Sequence, residues 1–221
     1  MDWQSLTLSL KLATVTLLVL LPAGLLLARW LAYTDFVAKG WIEALVVLPL
    51  VLPPTVLGYY LLVSLGGASP LGHWVAETFG VRLTFNFFGL VLASIVFNIP
   101  FLVQPVQRAF EAIPRQLGEA AAVSGLHAWQ TFWRIELPLT WPGVLSAMVL
   151  TFVHTLGEFG VVLMIGGSIP GETKTVAISI YDRVQAFDLA SANRMALLLL
   201  VLSLGAVGAS FFASARLALR R

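Results

Sequence analysis

Long apolar stretches separated by short polar segments run along the whole chain. A membrane-spanning helix needs about 20 apolar residues, because roughly 30 Å of hydrocarbon is crossed at about 1.5 Å per residue. The stretches that meet this requirement lie at about residues 6–28, 41–65, 87–106, 139–165 and 195–215. The alternating ten-residue segments of an outer-membrane barrel are absent from the sequence. The pattern therefore predicts five spans, all of them helices.

The composition excludes most soluble classes of protein. Hydrophobic residues make up 59% of the 221 residues and charged residues 11%, against roughly 45–50% and 25% in ordinary globular domains. So few charges would leave large apolar patches on a soluble fold of this size. The chain has no cysteine, which removes disulfides, thiolate metal sites and cysteine nucleophiles. We therefore expect an all-α integral membrane protein.

The distribution of Lys and Arg predicts the orientation of the five spans. If the C-terminus is inside, the basic residues of the inner segments are Arg29, Lys39, Arg108, Arg115, Arg134, Arg216, Arg220 and Arg221. The basic residues of the outer segments are then Lys11, Arg82, Lys174, Arg183 and Arg194. The excess falls inside, as the positive-inside rule requires, so we expect the N-terminus outside and the C-terminus in the cytoplasm. Because the formal net charge is only +2, we expect no nucleic-acid partner.

The segments between the spans are too short to form a soluble domain. The outer segments 66–86 and 166–193 have room for short helices at the membrane surface, and 107–137 is the one long inner loop. Residues 166–175 imitate a phosphate-binding loop, but two residues separate Gly171 from Lys174, so we interpret them as an outer turn. We expect one transmembrane domain over residues 1–221, and we keep the first stretch as a span because it lacks a signal-peptide cleavage site.

Helix-breaking and polar residues inside the spans indicate a translocation path. Proline in a helix frees a carbonyl, which is tolerated only where the backbone faces protein or a water-filled cavity. An ionisable residue within a span usually marks function, and a hydrogen bond between Glu158 and His154 fits their four-residue spacing. We assign Pro53, Pro54, Asn98 and Glu158 to the path or its gate. The alternatives are ordinary kinks packed in a bundle and, for Glu158, a carboxylate that reaches headgroups or caps a helix.

The inner loop 107–137 predicts two helical segments with a turn between them. Residues 116–124 are rich in Glu, Gln, Leu and Ala, which favour a helix. Gly125 is placed to end that helix in a left-handed cap. A second segment begins at Ala128, and Leu137 and Pro138 open the next span. The small alanine face of the first helix allows close approach by another protein.

The same loop carries a spaced motif: Glu-Ala-Ala, three residues, Gly, nine residues and Ile-x-Leu-Pro. It resembles the "EAA" signature of ABC importer permeases, and its fixed positions are Glu119, Ala120, Ala121, Gly125, Ile135, Leu137 and Pro138. The resemblance implies a permease fold like that of type I importers, in which this loop forms coupling helices that dock into a cleft on a cytoplasmic ATPase subunit. It also implies that Glu119 anchors the coupling helix against the ATPase. A chance amphipathic loop is the alternative.

Three further stretches are similar to one branch of that family. Residues 48–59 look like the second span of molybdate permeases, and residues 156–160 are shared with sulfate and molybdate permeases. Residues 169–175 are similar to the outer loop of the molybdate group, whose compact length this chain also has. The resemblance covers essentially the whole chain and implies import of molybdate, with tungstate as a further substrate. Sulfate or thiosulfate is the main alternative.

The resemblance also implies an assembly in a bacterial inner membrane. Two copies of the chain would form a homodimer, bind two cytoplasmic ATPase subunits and receive the oxyanion from a periplasmic or extracellular binding protein. ATP and Mg²⁺ would bind the ATPase, so we expect no cofactor, metal or catalytic residue in this chain. Two other classes remain: a secondary transporter or channel, which would not need the EAA loop, and an intramembrane enzyme built on Glu158 and His154.

Overall fold

The computed structural model describes residues 2–218, with side chains described as far as Phe212, and this part contains helices but no β-strand. Arg220 and Arg221, which contribute to the predicted orientation, lie outside the described residues, as does the side chain of Arg216. The helices are α1 (Trp3–Tyr33), α2 (Lys39–Val51), α3 (Pro54–Leu65), α4 (Pro70–Phe79), α5 (Phe87–Glu111), α6 (Arg115–Val123), α7 (Ala128–Thr131), α8 (Leu137–Gly157), α9 (Gly160–Gly166), α10 (Val176–Gln185) and α11 (Leu189–Ala218). A π-helical segment, Phe132–Glu136, joins α7 to α8.

Four helices of the described chain are long and apolar enough to cross a membrane. They are α1, α5, the continuous helix Ala128–Gly157 that includes α7 and α8, and α11. The pair α2 and α3 makes a fifth span if it is counted as one. The structure is therefore an all-helical bundle with four or five apolar spans. The helices α1 and α11 extend the predicted stretches at both ends, and α5 extends its stretch at the C-terminal end.

The second predicted span, residues 41–65, is wrong as a single helix. α2 ends at Val51, α3 begins at Pro54, and the two axes differ by 110°. Proline pushes the residue before it into an extended conformation, and Leu52 and Pro53 have ψ values of 139° and 135°. Pro54 then occupies the first turn of α3, where its missing N–H costs nothing. Two adjacent prolines therefore divide this stretch into two helices.

The fourth predicted span, residues 139–165, is also divided. α8 ends at Gly157, Glu158 is extended with ψ 130°, and α9 begins at Gly160. Glycine has low helix propensity, and the Gly157 and Gly160 pair brackets the break. The two breaks lie together, because a Cβ atom on Gly160 would stand 2.8 Å from Cβ of Pro54.

Small residues allow the helices to pack closely around α5. In lipid, helices associate by close van der Waals contact more than by burial from water. A Cβ atom on Gly24 of α1 would stand 2.5 Å from Leu102 of α5, and one on Gly143 of α8 would stand 2.7 Å from Ala109 of α5. The core between these helices contains Leu20, Ala28, Leu31, Val46, Leu102, Val103, Val106, Phe110, Phe132, Val144 and Ala147. α5 is therefore the central helix of the bundle.

The segments predicted to be outer contain the short helices expected there, α4 and α10. α10 is tied to the N-terminal part of α1, because Ser179 Oγ donates to Asp2 Oδ2 at 2.8 Å and the Val176 amide donates to Ser9 Oγ at 2.8 Å. The turn that precedes α10 uses its own polar groups. Thr173 Oγ1 donates to the Gly166 carbonyl at 2.7 Å. These internal bonds agree with a turn and not with a phosphate-binding loop.

Candidate coupling loop and translocation path

The first half of the EAA motif lies on α6 and ends in the predicted left-handed cap. Gly125 has φ +76°. Its amide donates to the Ala122 carbonyl at 3.0 Å, and the Leu126 amide donates to the Ala121 carbonyl at 3.0 Å. This pair of bonds is the Schellman arrangement, in which the residue with positive φ is usually glycine. No neighbouring atom lies within 4 Å of where a Cβ on Gly125 would stand, so the backbone conformation alone requires glycine.

α6 projects from the bundle with little cover. Glu119 and Ala120 are exposed, Val123 is 91% exposed, and Ala121 is the buried residue that holds the helix against the rest of the chain. An apolar residue as exposed as Val123 beside an exposed carboxylate offers a mixed surface of the kind that a partner subunit can cover. The structure thus places Glu119 and Ala120 where another protein can reach them.

The second half of the motif lies inside a continuous helix. Residues Ile135, Leu137 and Pro138 were expected to lie before and at the opening of a span, but the helix already begins at Ala128. His127 precedes it, and its amide donates to Gln130 Oε1 at 3.1 Å. A π-helical segment within an α-helix is rare and is frequently found at functional sites. Here it lies at the junction of the coupling loop with α8.

A cavity of about 650 Å³ lies beneath α6. Its walls come from the C-terminal ends of α1 and α5, the segment before α2, α6, and the π-helical segment. Glu119 lines it, as do Arg29 and Glu136, whose side chains form an ion pair with Nε to Oε2 at 2.5 Å and Nη2 to Oε1 at 3.0 Å. Sequence reasoning counted Arg29 only as a sign of orientation and missed Glu136. The signal was available, because an acidic residue at the start of an apolar span needs a cationic partner.

The structure places the buried Asn98 in a polar pair with the partly buried His154. Asn98 Nδ2 donates to the Ser94 carbonyl at 2.8 Å, and its Oδ1 lies 3.0 Å from His154 Nδ1. The His154 ring stacks on Phe101, with centroids 3.7 Å apart. The predicted hydrogen bond between Glu158 and His154 is wrong. α8 ends at Gly157, so Glu158 no longer has the helical position that the four-residue spacing assumed.

Glu158 is buried without a hydrogen-bonding partner. Glu158 is 5% exposed, and within the described part of the chain neither of its carboxylate oxygens has a hydrogen-bonding partner. The structure brings this region against Pro54 through Gly160. Pro53 and Pro54 are themselves exposed on the surface of the single chain. The four predicted path residues therefore lie at or near the two helix breaks and the Asn98–His154 pair, and their role in transport stays a prediction.

Comparisons with known proteins agree on one family. Residues 21–221 match the family described as binding-protein-dependent transport system inner membrane component. The chain is 48% identical to the molybdenum transport system permease protein ModB of Azotobacter vinelandii, over 88% of this chain and 86% of that protein. It is 39% identical to ModB of Escherichia coli K12, over 83% of this chain and 80% of that protein. The sulfate transport system permease protein CysT of the same strain is 35% identical, over 82% of this chain and 65% of CysT.

The fold is also that of a solved transporter. A bacterial ABC transporter involved in the import of the acidic polysaccharide alginate matches with a TM-score of 0.78 at 20% identity, over 96% of this chain and 78% of that chain. At this identity the likeness shows the fold alone, and the family rests on the sequence matches. The chain belongs to the family of binding-protein-dependent transport system inner membrane components.

Proposed function

We propose that this chain is the transmembrane subunit of an ATP-driven importer of molybdate. The observation that carries the proposal is an exposed EAA helix, α6, in a chain that is 48% identical to a molybdenum transport permease over most of its length. The chain is not an enzyme by itself, because ATP hydrolysis belongs to separate ATPase subunits. ATP and Mg²⁺ bind those subunits, and this chain carries no cofactor of its own.

The permease acts by alternating access. The ATPase subunits bind ATP and close, and α6 moves with the cleft in which it is docked. Glu119 anchors α6 in that cleft, and the turn at Gly125 holds α6 at a fixed angle to the helix that continues into α8. The spans then change from inward-facing to outward-facing and receive the oxyanion from a binding protein outside. ATP hydrolysis resets the complex.

The assembly is a homodimer of five-span chains in a bacterial inner membrane, with the whole chain as one transmembrane domain. In this topology α2 and α3 together make the second span, the N-terminus is outside and the C-terminus is cytoplasmic. The contacts of α1 support it. α10 is bound near the N-terminus of α1 and the coupling loop near its C-terminus, and a helix of 31 residues is about 45 Å long. The two therefore belong to opposite faces of the membrane.

The path or gate includes Pro53, Pro54, Asn98 and Glu158. Non-helical backbone within a membrane is tolerated only where it is buried in protein or lines a water-filled cavity. The exposure of both prolines on the single chain fits a position against a second copy or along the path itself. Glu158 adds a buried ionisable group at the same place, which in a membrane protein usually marks function.

The test is ATP-dependent uptake of labelled molybdate into vesicles that contain the permease, its ATPase and its binding protein. Parallel samples carry an excess of tungstate or of sulfate. We expect tungstate to block uptake and sulfate to leave it unchanged. Block by sulfate would assign the chain to the sulfate branch, which its 35% identity to CysT makes the second candidate.

A further inference from the structure

The ion pair between Arg29 and Glu136 is partly enclosed and joins two distant parts of the chain. Both guanidinium contacts, Nε to Oε2 at 2.5 Å and Nη2 to Oε1 at 3.0 Å, form the bidentate fork that fixes the position of a carboxylate. The side chain of Glu136 is 9% exposed and that of Arg29 is 29% exposed. This pair connects residues 107 positions apart, so it holds helices together and not one turn of one helix.

The surroundings of the pair fix the guanidinium from other sides. Arg29 lies over the ring of Tyr33 at 5.5 Å and over the ring of Phe132 at 5.7 Å. The other charged groups that line the same cavity are Asp35, Lys39, Glu111, Arg115 and Glu119. Three of them have partners of their own, since Lys39 pairs with Asp35 at 3.7 Å and Glu111 with Arg108 at 2.8 Å. Glu136 is thus held by Arg29.

Glu136 occupies a particular place in the coupling loop. It is the variable residue within Ile-x-Leu-Pro and the last residue of the π-helical segment. Covalently, the coupling loop leads to α5 and α8 but not to α1. Apolar packing holds α1 against α5 and α8, and the bidentate pair adds a directional contact between one point of α1 and one point of the loop. A displacement of the loop therefore reaches α1 through Arg29.

The far end of α1 is tied in a similar way. Asp2 accepts from Ser179 Oγ, and Ser9 Oγ accepts from the Val176 amide, so the N-terminal part of α1 and α10 move as one body. α1 remains helical between these points although Pro22 lies inside it, so an axial displacement of one end passes along the helix to the other. The single helix α1 thus connects the coupling loop with α10.

We propose that the Arg29–Glu136 pair transmits the movement of the coupling loop to α1 and, through α1, to α10. Arg29 and Glu136 are then positioning residues for transport, in addition to the motif residues that contact the ATPase. The inference rests on the proposed function, because it assumes that an ATPase moves the loop. It requires no new ligand and no chemical step.

The experiment compares Glu136→Gln, Arg29→Lys and the control Arg108→Gln in the complete complex. Arg108 is a matched control because its side chain is 81% exposed and its pair with Glu111 lies within one helix. We expect molybdate transported per ATP hydrolysed to fall at least tenfold in Glu136→Gln and about threefold in Arg29→Lys, which keeps the charge but loses the fork. Arg108→Gln should keep the wild-type ratio. A wild-type ratio in assembled Glu136→Gln would overturn the proposal.

A second readout needs no substrate. The chain has no cysteine, so Gln185→Cys at the end of α10 introduces a single thiol into it. After the reaction the permease is separated from the other subunits, and the label on it is measured. We expect ATP to change the rate at which a maleimide reacts there in the wild-type background, and this change to be lost with Glu136→Gln. An ATP-dependent change that persists in Glu136→Gln would refute the link even if molybdate were the wrong substrate. Absence of uptake alone would instead refute the proposed function.

The charge-swapped variant Arg29→Glu/Glu136→Arg covers a failure of Glu136→Gln to assemble. The swap keeps an attractive pair between the same two helices. Recovery of assembly together with at least a third of the wild-type ratio supports a link. Recovery of assembly without coupled transport shows that the pair only stabilises the fold, and the proposal falls.

Discussion

Glu119 is exposed on α6 and has no hydrogen-bonding or ionic partner within the described part of the chain, although it lines the cavity beneath that helix. Its carboxylate is therefore free to meet a partner. We expect Glu119→Lys to leave insertion and stability unchanged and to abolish ATP-dependent uptake, because a cation replaces the anion at the ATPase cleft. Uptake by the reconstituted complex measures this. A Glu119→Lys complex that assembles and transports normally would contradict the anchoring role.

Gly125 and Gly118 offer a matched pair in the same loop. A Cβ atom on either would meet nothing within 4 Å, but Gly125 has φ +76° while Gly118 lies within α6. Alanine at a positive φ costs about 1–2 kcal/mol, whereas alanine in place of glycine inside a helix gains up to about 1 kcal/mol. We expect Gly125→Ala to reduce the amount of ATPase that co-purifies, and Gly118→Ala to keep or increase it. Equal yields would show that the turn is not needed for docking.

The carboxylate of Glu158 is buried and unpaired within the described part of the chain. Removing a buried polar group that has no partner removes its desolvation cost. We expect Glu158→Leu to raise the melting temperature of the purified permease. We also expect it to lower molybdate uptake, because the proposed path loses this carboxylate. A lower melting temperature would mean that Glu158 has a partner in the purified permease, and unchanged uptake would remove it from the path.

At the level of single residues, the sequence predicts those features that depend on local geometry. The cap at Gly125 follows from a glycine placed after a run of helix formers. The partner of Glu158 did not follow, because a spacing rule holds only while the helix continues. Arg29 and Glu136 are far apart in the sequence, so no local pattern predicts which cationic residue pairs with this buried carboxylate.

Among the helices, the two broken ones depend on each other. α3 and α9 pack so closely that a Cβ atom on Gly58 would stand 2.8 Å from Cβ of Met164 and 3.1 Å from Cα of Val161. α3 begins at Pro54 and α9 begins after the break that follows Gly157, so both breaks lie beside this contact. Hydropathy alone does not show either break, because long apolar stretches lie on both sides of each. The local signals are the two adjacent prolines and Glu158 between Gly157 and Gly160.

The contact between α3 and α9 can be tested by adding one methyl group at Gly160 or at Gly157. A Cβ on Gly160 would stand 2.8 Å from Cβ of Pro54, while one on Gly157 would meet nothing within 4 Å. Overpacking of this kind typically costs about 1–3 kcal/mol. We expect Gly160→Ala to lower the melting temperature of the permease in detergent, and Gly157→Ala to leave it unchanged within error. Equal effects of the two substitutions would show that α3 and α9 are not in close contact.

For the molecule as a whole, hydropathy predicts the helical bundle and the approximate places of its spans. It does so because the bilayer imposes one length and one polarity on every span. The packing order around α5 is not predictable in the same way, since it depends on where glycine and alanine let two helices approach. The family follows from the spacing of the EAA motif and the sequence matches, whereas the path residues rest on breaks and buried groups that await a functional test.

An ATP-driven importer differs from a channel or a secondary transporter in its source of energy. The measurement that tests this most directly is accumulation of labelled molybdate in vesicles that contain the permease, the ATPase and the binding protein. We predict that internal molybdate rises above the external concentration only when ATP and the binding protein are both supplied. Equilibration of molybdate without ATP, or no ATP-dependent accumulation by an assembled complex, would contradict it.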